Sequence, residues 1–167
     1  MKKLWLIIGC IVVISAFAVG YATMQQTVRK EKETQSTSSQ EIPSVIDHTM
    51  AIELDEETYS ITYSFCVDDE KAVSFINFGP VYYSHEVLWE WYSPDNELYS
   101  TWSEKMEDPG EDYYWEEYVL WNWLDIADYE ASQIPGEWRV DIYLDGMWVL
   151  TESFTILVEP EVELIEL

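Results

Sequence analysis

Positive charge, cysteine, histidine and glycine are all scarce in this chain, and each scarcity closes a class of function. Of eight Lys and Arg residues only Lys71, Lys105 and Arg139 follow Glu33, where they face 31 acids for a net charge of −28. A surface of that sign repels phosphate backbones, so no nucleic acid is expected as a partner. The histidines are His48 and His85 and the cysteines Cys10 and Cys66, too few and too widely spaced for a zinc centre. No G-x-S-x-G or S-x-x-K pattern supplies a nucleophile, and the six glycines build neither a Walker nor a dinucleotide loop. His85, in YYSHEVLW, reads as a strand-surface residue rather than a base. The chain therefore reads as non-catalytic, with no cofactor and no assigned metal ligand. Cys66 has no second thiol to pair with in the part after the N-terminal run, and its strand-like surroundings predict a buried, inert side chain.

The N-terminus has an apolar run. Lys2 and Lys3 precede Leu4 to Ala22, 19 residues without charge, near the length that spans a bilayer. The run is longer than a signal-peptide core, which favours an uncleaved anchor over residues 1–24, with the bilayer as partner through residues 4–22. The alternative is a signal peptide cleaved near Gly20 and Ala22, giving a secreted protein. A lipobox-like Ile7-Ile8-Gly9-Cys10 is a third, weaker pattern. Residues 25–44 are polar, rich in Ser, Thr, Gln and Glu, and read as a flexible stalk. Residues 45–160 then form a folded domain outside the cytoplasm, followed by an acidic tail over 161–167.

Within the domain the texture is that of strands. Tyr59, Ile61, Tyr63 and Phe65 alternate with polar residues and predict one half-buried strand over Thr58 to Val67. Lys71 to Phe78 has apolar residues of both parities, which suits a strand covered on both faces. Val87, Trp89 and Trp91 alternate, and Pro94-Asp95-Asn96 is a turn before a partner strand from Leu98 to Trp102. An acidic loop is expected over Glu104 to Asp112, a strand from Glu117 to Ile126, and a short helical turn between Ala127 and Ile134. Seven to eight short strands at this spacing predict an antiparallel β-sandwich.

The clearest local signal is Pro135 to Ile156. Pro135-Gly136 opens a strand and Asp145-Gly146 is a hairpin turn. Trp138, Val140, Ile142, Trp148, Leu150, Phe154 and Ile156 are all even-numbered. A two-residue loop would set the two strands' even residues on opposite faces. A three-residue loop, Leu144 to Gly146, would pair Tyr143 with Met147 and bring them onto one dry face. Glu152 interrupts the pattern, as a rim position or a bulge. The stretch resembles small immunoglobulin-like modules of bacterial and archaeal envelope proteins, through Pro135, Gly136, Trp138, Val140, Asp145, Gly146, Phe154 and Ile156. Ser93 to Asn96 adds to the likeness. The resemblance implies an immunoglobulin-like sandwich used as a spacer, sensor or binding unit, and it supplies no catalytic residues.

Eight tryptophans lie outside the N-terminal run. Most read as core, Trp89 and Trp91 above all. Trp102, Tyr113, Tyr114 and Trp115, set among acids, are the candidate ligand contacts. Three functions compete: a membrane-anchored module for protein interaction or spacing, a carbohydrate-binding module using exposed aromatics, and a calcium-binding surface built on acidic clusters such as Asp68-Asp69-Glu70. None of those clusters matches a known calcium loop.

Overall fold

The computed structural model describes residues 29–31, 42–55 and 58–158. The expected span 4–22, the stalk apart from 29–31 and 42–44, and the acidic tail lie outside them. Among the described residues no helix is long and apolar enough to cross a membrane.

Eleven strands run in order: β1 (Arg29–Glu31), β2 (Ser44–Asp55), β3 (Thr58–Ile61), β4 (Ser64–Cys66), β5 (Lys71–Gly79), β6 (His85–Tyr92), β7 (Leu98–Met106), β8 (Tyr113–Trp115), β9 (Tyr118–Asp125), β10 (Gly136–Leu144) and β11 (Met147–Leu157). One sheet has the order β4-β11-β10-β6-β7 and the other β3-β2-β5-β9, while β1 and β8 form a separate ribbon. A single 3-10 turn, Glu130–Gln133, leads from β9 to β10. The domain is an all-β sandwich of two sheets.

Alternation places the core. Trp89, Trp91, Trp138, Val140, Ile142, Phe154 and Ile156 from the five-stranded sheet are fully buried, and meet Met50, Ala72, Ile76, Phe78 and Leu124 from the other. Phe154 sits at the centre. Phe65 and Trp91 meet it edge-on at 5.6 and 5.8 Å, and Trp138 stacks on it at 6.4 Å. Truncating a ring of this kind to Ala costs about 3–5 kcal/mol through lost burial and a residual cavity. Lys71–Gly79 is buried along both faces, as its apolar residues of both parities predict.

The chain departs from its expected course in three places. Thr58 to Val67 is not one strand. Thr62 folds its hydroxyl onto the Ser64 carbonyl at 2.9 Å, and the chain changes sheets there. β3 pairs with β2 in one sheet, whereas β4 pairs in parallel with β11 in the other. The sandwich is thus not wholly antiparallel. Only Phe65 of the four alternating residues enters the core, while Ile61 and Tyr63 are exposed and Cys66 is half-buried rather than buried. Second, β7 continues to Met106, into the stretch expected to be an acidic loop.

The third departure is the hairpin. Leu144 pairs with Met147, so its loop has two residues, Asp145 and Gly146, at φ 50° and 77°. Positive φ at both is the primed turn that matches strand twist. The parity conflict is removed by a bulge instead of a longer loop. Tyr143 faces Trp148 but Ile142 faces Leu150, which leaves Val149 as the extra residue. Below the bulge Trp138 and Phe154 share the dry face, as expected, but they oppose each other, whereas the three-residue loop would have set Trp138 opposite Glu152. Above it Trp148 is turned out and is 61% exposed, not part of the core.

Candidate functional site

The two sheets end on one side with β7 and β9 at their edges. Between them runs a groove of about 620 Å³ walled by Trp102, Trp115, Tyr118, Trp121 and Trp123, with Glu104, Lys105 and Glu107 at its margin. Local register explains why the rings are there. Trp102 pairs with Trp89, so it points to the sandwich interior, but the sheet stops at β7 and leaves it 55% exposed. On β9 the even residues Leu120, Asn122 and Leu124 face inward, which turns Trp121 and Trp123 outward at 39% and 45% exposure. They join Phe75 and Tyr59 on the outer face of the four-stranded sheet, with Phe75 at 6.4 Å from Trp121 and Tyr59 at 5.0 Å from Phe75. The Lys71 ammonium, paired with Glu53 at 2.6 Å, lies 5.4 Å from the Trp123 ring. The outer face of the five-stranded sheet has instead a polar set in which Arg139 covers Tyr92 and Thr151 donates to Asp141.

Of the four candidate contacts, Trp102 and Trp115 line this groove and Tyr113 and Tyr114 do not. Trp115 is half-buried, donates its indole N–H to the Glu107 carbonyl at 3.1 Å and meets Tyr118 edge-on at 6.0 Å. Tyr114 packs on Tyr82 at 5.2 Å, and Tyr113 is on the surface. Trp121 and Trp123 are the residues a sequence reading assigns to packing, because a period-two stripe is what a core also shows. The distinguishing sign was the competing inward set around Asn122, whose side chain accepts the Trp91 indole N–H at 2.8 Å.

Neither histidine behaves as a surface residue. His85 is only 4% exposed, and its Nδ1 lies 2.7 Å from Asp145, whose other oxygen accepts the Glu86 N–H at 3.0 Å. Burial raises the Asp145 pKa, but the Glu86 and His85 hydrogen bonds outweigh it and hold the carboxyl below its usual range. His48 faces inward from β2, with its side chain 5% exposed. The Trp89 indole donates to Ser74 Oγ at 3.2 Å, and that hydroxyl lies 3.0 Å from His48 Nε2. The other ring nitrogen, Nδ1, faces Glu152 at 3.5 Å. Glu152 is thus not the bulge; partly exposed at 30%, it reaches His48 across the sandwich. The order Ser–His–Glu is that of a hydrolase triad. Here Ser74 is fully buried beneath Trp89, so no substrate carbonyl reaches it. Burial, partly offset by Glu152, lowers the His48 pKa.

Among the described residues no group of three or more His, Cys, Asp or Glu converges on a point that could hold a metal ion.

No protein-family model matches the chain, and no characterised protein is similar to it in sequence. Solved structures share its outline loosely. An immunoglobulin-like protein of Pseudomonas aeruginosa is 14% identical, with 72% of this chain and 100% of that one covered and a TM-score of 0.43. The alkylpurine DNA glycosylase AlkC of Pseudomonas fluorescens, solved bound to DNA, is 9% identical over 80% of this chain and 32% of its own, at 0.42. A CARDB domain from Pyrococcus furiosus, solved with di-metal ions, is 15% identical over 73% and 97%, at 0.35. The two-sheet sandwich stands on the pairings and the common core described above.

Proposed function

We propose that this protein is a non-catalytic, immunoglobulin-like module held outside the cytoplasm by residues 4–22, and that the aromatic groove takes an extended polypeptide partner. The observation that carries the reading is the placement of Trp102, Trp121 and Trp123 beside two unextended sheet edges, β7 and β9. Edge backbone groups supply hydrogen bonds to an extended chain, and tryptophan is the side chain most often found to dominate an interface. The second reading is a carbohydrate module. It draws on Trp121 and Trp123 standing two residues apart on one open face, a row of flat rings to which sugar rings can stack. For the calcium reading, no group of three acids converges among the described residues.

The test uses the full-length protein in membranes or nanodiscs, with Trp102→Ala, Trp121→Ala and Trp123→Ala beside Trp148→Ala. Trp148 is an exposed ring far along the chain at the hairpin tip, and serves as control. Partner capture should fall about tenfold or more in each groove variant, the loss of a central aromatic contact, and remain unchanged in Trp148→Ala. Capture that survives all three groove variants sinks the reading. Competition by soluble polysaccharide moves it to the carbohydrate alternative.

A further inference from the structure

The segment that sequence reads as part of a free stalk is paired to the domain. Arg29, Lys30 and Glu31 lie antiparallel to Trp115, Tyr114 and Tyr113 in three consecutive rungs. The opposite side of β8 is already used, because Trp115 exchanges both backbone hydrogen bonds with Val81, at 2.8 and 2.9 Å. In an antiparallel ribbon successive residues direct their backbone groups to alternate sides. Tyr114 therefore offers its N–H and C=O away from Val81, toward Lys30. The surroundings are strongly negative: Glu107, Asp108, Glu111, Asp112, Glu116 and Glu117 flank β8 and are all exposed. The strand that sits there, Arg29–Glu31, carries two bases and one acid, a net charge of +1 in a chain of net charge −25. Backbone geometry and charge thus select the same kind of occupant.

We propose that β8 is a strand-accepting edge for extended, positively charged segments, and that residues 29–31 of the same chain are its resident occupant. A partner with a basic extended segment binds there by displacing β1. The edge adjoins the aromatic groove at Trp115, but its backbone pairing uses none of Trp102, Trp121 and Trp123, so it does not stand or fall with those variants.

The test uses the full chain in nanodiscs and a Lys30→Pro variant. Proline removes the N–H that Tyr114 meets and lies outside both sheets, so the sandwich is unaffected. The probe is a synthetic peptide of residues 25–33 added in trans. Hydrogen exchange at the Tyr114 amide should be faster in Lys30→Pro than in the native chain. The peptide should bind the variant about tenfold more tightly, the ratio expected when the resident strand holds the edge for roughly nine-tenths of the time. Binding should weaken with added salt and vanish for a peptide bearing Arg29→Glu and Lys30→Glu. Equal Tyr114 exchange in the two proteins overturns the proposal. So does a peptide that binds both equally, or neither, or that binds regardless of charge.

Discussion

His48 is placed between the sheets, where burial favours its neutral form, by contacts that sequence position does not reveal. It stands six residues after Ile42, at the start of the folded chain, yet Ser74 and Glu152 reach it from β5 and β11. The energetic consequence has a definite sign. The folded pKa is lowered from 6.5, mainly by burial. As pH falls through 6.5 the unfolded chain takes up a proton that the folded chain resists, so stability drops. Between about pH 7.5 and about pH 5.5 the native melting temperature should fall more than that of His48→Gln, which cannot titrate. Equal slopes for the two proteins would refute the assignment. The comparison cancels every other titration, since both proteins share them. His85 and Asp145 were equally hidden, because 59 intervening residues separate the strand start from the turn that caps it. Tertiary polar pairs of this kind leave no local periodicity. The tryptophans at 89, 91 and 138, by contrast, were legible as core, because alternation alone decides which face they occupy.

At the scale of the element, the hairpin shows how far parity carries. Its even-numbered apolar residues put Trp138, Phe154 and Ile156 on one face, as observed, but the three-residue loop that parity predicts is not formed. Parity does not say where the extra residue goes. The Asp145-Gly146 pair satisfies a two-residue primed turn, and the correction moves to Val149. Deleting Val149 should then leave every pairing intact and cost about 1 kcal/mol for the lost methyl packing. Deleting Thr151 instead would turn Phe154 and Ile156 to solvent, at about 3–5 kcal/mol. Denaturation midpoints measure both, and equal losses would mean that the bulge lies elsewhere. The sheet switch at Thr62 was illegible for a related reason. Tyr59, Ile61, Tyr63 and Phe65 keep perfect alternation across it, and only the Thr62–Ser64 hydrogen bond marks the break.

For the whole molecule the dominant quantity is charge. With 31 acids against three bases after Glu33, repulsion opposes compaction at neutral pH, and among the described residues few ion pairs relieve it. Raising salt from about 0.05 M to about 0.5 M shortens the screening length severalfold. The melting temperature should rise by several degrees, a scale set by about 1 kcal/mol of relieved repulsion in a domain of this size. A fall on adding salt would show that Lys71–Glu53 and its like matter more than the net charge. The fold class was legible at this scale because strand-length alternation and turn residues recur throughout 45–158. The groove was not, since it depends on which strands finish at the sheet edges, a property of topology.

The division of the tryptophans gives the molecule two colours. Indole emission moves to longer wavelength where water can relax the excited dipole. Trp89, Trp91 and Trp138 are sealed in the core, whereas Trp102, Trp121 and Trp123 stand open beside the groove. A ligand that covers the groove would shift the red part of the spectrum toward the blue, and unfolding would shift the blue part toward the red. Occupancy and collapse of this domain thus move its own light in opposite directions, with no label attached.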